Sequence, residues 1–423
     1  MSHLLPNEPR PAPLTVLAFV PYYLPGYKSG GPVRSIANLV ARLGDDLRFV
    51  IVTADRDSGD AAPYPHLTPG VRQRVDGADV IYLDASRQRA RAMAALVRAL
   101  HPDVIYLNSF FSPAFSINLV LLRRLHRIPP RPIVLAPRGE FSPGALQVKS
   151  PKKRLFLAAA RALRLYRNVL WQASTPLEAA DIRRSLGPVE RDGCSRIIVA
   201  PIIASPHPPT AAVSAPDRPA PRSKQADYLR VAFLSRISAK KNLLGALQIL
   251  QGVRGRLQLD IYGPIQDQPY WRRCREHIAA LPPNVQVAYH GPVDAARVPA
   301  VLAAHDLFFL PTFGENYGHV IREALAAGTP VLISDQTPWR QLAAAQAGWD
   351  LPLERPEAFR DVLERCIAMC PASFVGLSEH AAAYARRHAD DGSVVEASRR
   401  LFHTAAGGRH PIAIGKSGMI NAS

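Results

Sequence analysis

The sequence predicts an α/β protein made of two parallel-sheet domains in tandem. Three observations predict it. Short apolar runs alternate with amphipathic stretches from about residue 14 to about residue 400. Most of these runs are continuously apolar, as strands covered on both faces require, rather than alternately polar and apolar. A proline-rich stretch without periodicity, ASPHPPTAAVSAPDRPAPRSKQA (204–226), divides the alternation into two halves. Length agrees, because 423 residues exceed one ordinary core and suit two domains of about 200 residues each.

In the first half the expected strands are LTVLAFV (14–20), RFVIVTA (48–54), DVIYLD (79–84), DVIYLN (103–108), PIVLAP (132–137), VLWQAS (169–174) and RIIVAP (196–201). Between them lie stretches such as SIANLVARLGDDL and RARAMAALVRALH, with apolar residues at the helical spacings i, i+3 and i+4. After the proline-rich stretch come YLRVAFLS (228–235), LQLDIYG (257–263), VQVAYHG (285–291), DLFFLP (306–311) and TPVLIS (329–334), each followed by a helical pattern. The expected organisation is an N-terminal domain over 1–203, a linker over 204–226 and a C-terminal domain over 227–404. The last helix is free to pack back on the first domain, and 405–423 form a loose tail.

Composition excludes several classes. The chain is 48% hydrophobic and 20% charged, a globular balance rather than a disordered one. Cys194, Cys274, Cys366 and Cys370 are too scattered for a disulfide framework. Cys366 and Cys370 share a helix face without a neighbouring His or second Cys pair, so no metal site is expected. LTVLAFV is far shorter than the ~20 residues of a membrane span. It also lacks a basic flank and a cleavage site, so neither a span nor a signal peptide is expected. A cytoplasmic location fits best. The formal charge of +18 is mostly dispersed arginine, with no nucleic-acid motif among it. Anionic lipid or a phosphorylated substrate explains it at least as well.

In open parallel sheets ligands bind beyond the carboxyl ends of strands, so the loops that follow strands carry the candidates. The strand VAFLS leads into RISAKKN, where Arg236 and Lys241 precede a helix; two cations and a helix N-terminus there can converge on a diphosphate. The strand DLFFLP leads into TFGENYGHVIREALAAG. Glu315 lies at the helix start, the amides of Asn316, Tyr317 and Gly318 are free to face phosphate, and Glu323 lies two turns on. A surface pairing of Glu323 with Arg322 would account for it equally well. The first strand leads into PYYLPGYKSGGPVRS, where Gly30 and Gly31 let a backbone approach a ligand closely. Neither a dinucleotide fingerprint nor a P-loop is present, against NAD and ATP readings. In STPLEAADIRR, Thr175 and Glu178 form an expected capping box, and Trp339 and Trp349 read as packing residues.

ENYGHVIREALAAGTPV resembles the glutamate-x7-glutamate element of the retaining, group-1 glycosyltransferases of the GT-B fold. RISAKK is similar to their G-R-x4-K element, with Ser235 in place of glycine. The resemblance implies two Rossmann-like domains facing across a cleft, and hexosyl transfer from a nucleoside-diphosphate sugar with retention. Glu315 would contact the sugar and Glu323 the ribose, Arg236 and Lys241 would grip the diphosphate, and Gly30 and Gly31 would close over the donor. It implies no cofactor beyond the nucleotide sugar and no metal. A nucleotide-sugar 2-epimerase, a sugar phosphorylase and a non-catalytic binding subunit share the scaffold and stay open.

One departure concerns the loop LAPRGEF, where relatives read P-H-G and this chain has Arg138. Arg138 suits an anionic acceptor, or a salt bridge with Glu140. Beyond it Lys149, Lys152, Lys153, Arg154, Arg161, Arg164 and Arg167 flank an apolar stripe expected at Leu155, Phe156, Ala159, Leu163 and Tyr166. A basic amphipathic helix suits docking on an anionic membrane beside a lipid-linked glycan acceptor, and a solvated basic face is its plain structural alternative.

Overall fold

A computed structural model describes residues 13–142, 145–146, 150–187, 190–191, 194–204, 224–388 and 392–407. Lys149, most of the expected linker and the end of the expected tail lie outside the described residues.

The first domain holds an eight-stranded sheet. Its strands are β1 (Leu14–Phe19), β2 (Leu47–Ala54), β3 (Arg72–Val75), β4 (Ala78–Leu83), β5 (Val104–Leu107), β6 (Ile133–Leu135), β7 (Val169–Ala173) and β10 (Ile197–Val199), in the order β10-β7-β6-β5-β1-β2-β4-β3. All neighbours are parallel except β3, which is antiparallel to β4. A small hairpin, β8 (Glu190–Arg191) and β9 (Cys194–Ser195), stands apart. Period-two alternation sorts β1 between two cores. Leu17 and Phe19 enter one face and Val16, Ala18 and Val20 the other, so the strand is apolar throughout.

The second domain is a six-stranded parallel sheet of β11 (Tyr228–Leu234), β12 (Arg256–Tyr262), β13 (Val285–Gly291), β14 (Leu307–Leu310), β15 (Val331–Ser334) and β16 (Gly348–Leu351). Its order is β13-β12-β11-β14-β15-β16. Counted within the domain this is 3-2-1-4-5-6, the doubly wound dinucleotide-binding order, whose crevice opens where the order reverses, between β11 and β14. In the first domain the reversal lies between β1 and β5. These two switch points define the loops that can hold a ligand.

The last helix, Gly392–Ala405, crosses back to the first domain. Leu401 and Phe402 are fully buried in its core. The Phe402 ring packs edge-on 5.3 Å from Tyr106 and 6.0 Å from Phe49. Arg399 adds an ion pair to Asp46 at 2.6 Å. The chain is therefore joined to the first domain at both ends of the second.

Four strands escaped sequence reasoning: the two-residue strands β8 and β9 of the hairpin, and β3 and β16 of the main sheets. β3, RQRV, is a polar edge strand, and its two arginines suit an edge that must resist pairing. β16, GWDL, is four residues long and only half-buried beyond its glycine. The basic helix also differs from expectation. Over Ser150–Ala162 and the turn after it, Leu157, Ala160, Leu165 and Tyr166 face the core, whereas Leu155 (73% exposed) and Leu163 (69% exposed) point outward. The stripe fails because the helix packs through Phe156, Leu157 and Ala160, leaving Leu155 and Ala159 outward. Beyond Ala162 the backbone turns left-handed at Arg164 (φ 47°), with Leu163 outward and Leu165 and Tyr166 inward.

Candidate active site in the interdomain cleft

The cleft is a cavity of about 280 Å³ bounded by both domains. Two loops of the second domain form one wall. After β11 the chain makes a single tight turn at Ala239–Lys241 and enters the helix Leu243–Leu250 through Asn242, which is left-handed (φ 58°). Asn242 Oδ1 accepts from Gly245 N at 3.2 Å, and its amide donates to the Pro311 carbonyl at 2.8 Å. Lys240 O accepts from Phe313 N at 2.9 Å and from the Thr312 hydroxyl at 3.1 Å. The loops after β11 and β14 are thus stitched together by their backbones.

This stitching gathers charge. Lys241 Nζ pairs with Glu315, both side chains nearly buried at 13% and 12% exposure. Lys240 and Arg236 stand beside the same carboxylate. Burial pulls the pKa of each below its ordinary value, while Glu315 opposes the shift in both. The Arg236 side chain has no hydrogen-bond or ion-pair partner among the described residues. Three cations therefore share one carboxylate, an arrangement matched by a ligand carrying at least two negative charges.

Backbone amides face the same space. The helix His319–Ala326 begins after Gly318 (φ 79°) with no side-chain cap. Across the cleft the helix Gly31–Leu43 begins after Gly30 (φ 65°), also without one. By contrast Thr175, Asn242 and Asp267 cap the helices Pro176–Leu186, Leu243–Leu250 and Gln268–Ala279. Two helix N-termini from opposite domains present uncapped N–H groups to one cavity, which favours an anion. The loop before Gly30 is pinned by Asp57, whose Oδ2 accepts from Tyr27 N at 2.7 Å and Lys28 N at 2.9 Å. At Gly31 a Cβ would lie 3.5 Å from the His319 ring, an ordinary contact.

The domains touch directly. Arg34 pairs with Glu323, so the surface pairing with Arg322 is not what the structure forms. Burial raises the Glu323 pKa, against the pull of Arg34 and Arg322. His319 Nε2 lies 3.1 Å from Ser35 Oγ. Asn316 Nδ2 donates to Ser174 Oγ at 2.8 Å.

Arg138 lines the cavity, but its salt bridge with Glu140 does not form. Its Nε donates to Asn108 Oδ1 at 2.6 Å and one terminal nitrogen to the Tyr106 hydroxyl at 2.5 Å. Glu140 instead accepts from the Ser109 hydroxyl (2.9 Å) and from the amides of Phe110 (2.5 Å) and Phe111 (3.2 Å). The left-handed backbone at Arg138 (φ 54°) and Gly139 (φ 75°) turns the two side chains to different partners. Glu178 departs from its expected capping box. Its amide donates to the Thr175 hydroxyl at 3.0 Å, yet its carboxylate accepts from Ser174 N (2.7 Å) and Gly139 N (2.5 Å), tying two cleft loops together. Trp339 does more than pack, since its indole donates to the Tyr317 carbonyl at 2.5 Å and steadies the amide loop.

The cleft thus gathers Gly30, Gly31, Arg138, Arg236, Lys241, Glu315, Asn316, Tyr317, Gly318 and Glu323. Sequence reasoning missed Arg34, Ser35, Lys240 and His319. Lys240 was visible as the second member of a lysine pair; the others gain meaning only across the domain boundary. Among the described residues no group of His, Cys, Asp and Glu could hold a metal ion.

Residues 216–386 match the family described as glycosyl transferases, group 1. Among solved structures, HepE of Anabaena in complex with UDP and glucose is similar at a TM-score of 0.62 and 17% identity, over 93% of this chain and 100% of that one. A sucrose-phosphate synthase from Thermosynechococcus elongatus is similar at 0.66 and 16% identity, over 93% and 98%. WaaG, a glycosyltransferase involved in lipopolysaccharide biosynthesis, is similar at 0.61 and 15% identity, over 93% and 100%. No curated protein matches in sequence. The molecule has the two-domain GT-B fold, and its second domain carries the group 1 glycosyl transferase match.

Proposed function

We propose that this protein is a retaining glycosyltransferase that moves a hexosyl unit from a nucleoside-diphosphate sugar to an acceptor hydroxyl. The observation that carries the reading is the gathering of Arg236, Lys240 and Lys241 around Glu315 beneath two uncapped helix N-termini. A pyrophosphate satisfies that excess of positive charge and the free amides together.

Each group then has a task. As the bond between the sugar's anomeric carbon and the β-phosphate oxygen breaks, its electron pair passes to the diphosphate, which the three cations and the Asn316–Gly318 amides stabilise. The same phosphate oxygen takes the acceptor hydroxyl's proton, and the new bond forms on the face the diphosphate leaves, so configuration is retained. Glu315 orients the sugar and Glu323 holds the ribose, exchanging Arg34 for its hydroxyls. The cations supply the charge that a divalent ion would otherwise bring, so the reaction proceeds without a metal and with no cofactor beyond the nucleotide sugar.

The acceptor in this reading is a lipid-linked saccharide in polysaccharide assembly, at the cytoplasmic face of an anionic membrane. Leu155 and Leu163, exposed beside Lys152, Arg154, Arg161 and Arg164, support it. Arg138 faces the acceptor side. No helix among the described residues is long and apolar enough to cross a membrane, so contact would be peripheral.

Thermal-shift screening against UDP- and GDP-sugars, followed by acceptor-dependent release of UDP or GDP, tests the proposal. Stabilisation by one donor and retention at the anomeric centre are expected. Binding without transfer or hydrolysis would favour a non-catalytic subunit, and interconversion of free sugars an epimerase.

A further inference from the structure

A second-domain imidazole enters the same cleft. His319 opens the helix after Gly318, with its Nε2 3.1 Å from the Ser35 hydroxyl of the first domain. A serine hydroxyl has one proton, and Ser35 gives it to the Gly31 carbonyl at 2.8 Å. With that proton on the carbonyl, the hydroxyl would meet Nε2 with a lone pair, which would place the ring proton on Nε2. In a neutral ring the other nitrogen, Nδ1, is then a bare acceptor. Neutrality is enforced by burial first, and then by Arg34, Arg322 and Arg138, which together push the pKa down to about 3. Nδ1 has no hydrogen-bond partner among the described residues, and the ring lines the cavity that holds Glu315 and Arg138.

We propose that His319 is a specificity-determining residue whose Nδ1 accepts a hydrogen bond from a hydroxyl of the transferred hexose, with Ser35 fixing the tautomer across the domain boundary. The inference rests on the glycosyltransferase reading above. A phosphate oxygen in the ionised diphosphate has no proton to offer a bare nitrogen, so the partner is a sugar hydroxyl rather than the diphosphate. The tautomer is set only while Ser35 and His319 touch, so the reading of the sugar is coupled to domain contact.

The test has two arms. In the full chain labelled with ¹⁵N-histidine, the His319 signals are those lost in His319→Gln. They should show a protonated Nε2 and a bare Nδ1 that do not titrate between about pH 5 and 8, and Ser35→Ala should give a mixture of tautomers. A ring titrating near the ordinary ~6.5, or protonated on Nδ1, overturns the proposal. In the second arm, deoxy analogues of the active donor are compared position by position. One of them should lose about 3- to 10-fold in kcat/KM with the wild type, the range of one neutral hydrogen bond. His319→Ala should erase the loss at that position alone. Undiminished discrimination at every position in His319→Ala overturns the inference while leaving the enzyme reading intact. A wild type inert towards every nucleotide sugar counts against the enzyme reading itself, and the wild-type arm alone reveals it.

Discussion

Replacing Glu315 with glutamine removes the one carboxylate among three cleft cations. Lys241 and Glu315 are each less than one-seventh exposed, so the change orphans a largely buried charge. Breaking such a pair costs about 3–5 kcal/mol, and the amide oxygen still accepts one hydrogen bond, which places the loss near ~3 kcal/mol. For a domain of this size that lowers Tm by roughly 6–12 °C. Nucleotide affinity should move the other way. A pyrophosphate seated against Lys241 also lies near the Glu315 carboxylate, and two like charges ~6 Å apart at an effective dielectric constant near 20 repel by about 3 kcal/mol before salt screening. Screening leaves about 1–2 kcal/mol, so Glu315→Gln should bind the diphosphate roughly ten-fold more tightly. Transfer should nevertheless fall by at least about 100-fold, because the sugar loses its orienting carboxylate. Calorimetry with UDP and GDP at physiological ionic strength, with a parallel thermal melt, measures both signs. A variant that melts like the wild type, or binds nucleotide more weakly, refutes the charge argument.

The remaining predictions concern the boundary, the last helix and the surface. Arg34→Met leaves the buried Glu323 without its interdomain partner, so it should destabilise by about 1–3 kcal/mol in denaturant titration, and Glu323→Gln should restore most of the loss. His319 binds its proton only near pH 3 when folded but near ~6.5 when unfolded. Its contribution is therefore complete above pH ~6.5 and lost progressively as pH falls towards 3. The stability difference between wild type and His319→Gln, followed by chemical unfolding across that window, should narrow or reverse on acidification. Phe402→Ala should cost about 3–5 kcal/mol and raise proteolysis within 392–407 before the sheets unfold. Leu155→Glu with Leu163→Glu should leave Tm within a degree or two, since both are exposed, while abolishing co-sedimentation with anionic vesicles.

Much of this architecture was legible in the chain, and the limits have physical causes. Strands buried on both faces are continuously apolar, so β1, β2, β11 and β14 announced themselves, and the parallel two-domain class followed. β3 and β16 carry no continuous apolar signal because both sit at sheet edges, and β16, GWDL, is only half-buried beyond its glycine. At the cleft, ENYGHVIREALAAGTPV and RISAKK marked two loops of one domain, where local spacing decides what can converge. Arg34, Ser35 and His319 matter because residues 284 positions apart (Ser35 and His319) and 289 positions apart (Arg34 and Glu323) meet across the two domains. Periodicity carries nothing about such a meeting. The basic helix misled because its apolar residues divide between core and solvent, Leu157 and Ala160 inward and Leu155 and Leu163 outward.

A crystal structure of the protein with UDP or GDP tests the central claim most directly. The account predicts the diphosphate within hydrogen-bonding distance of Arg236, of Lys240 or Lys241, and of the amides between Asn316 and Gly318, with Glu323 released from Arg34 onto the ribose. A nucleotide bound elsewhere, or a cleft whose three cations remain turned away from the phosphates, would contradict it.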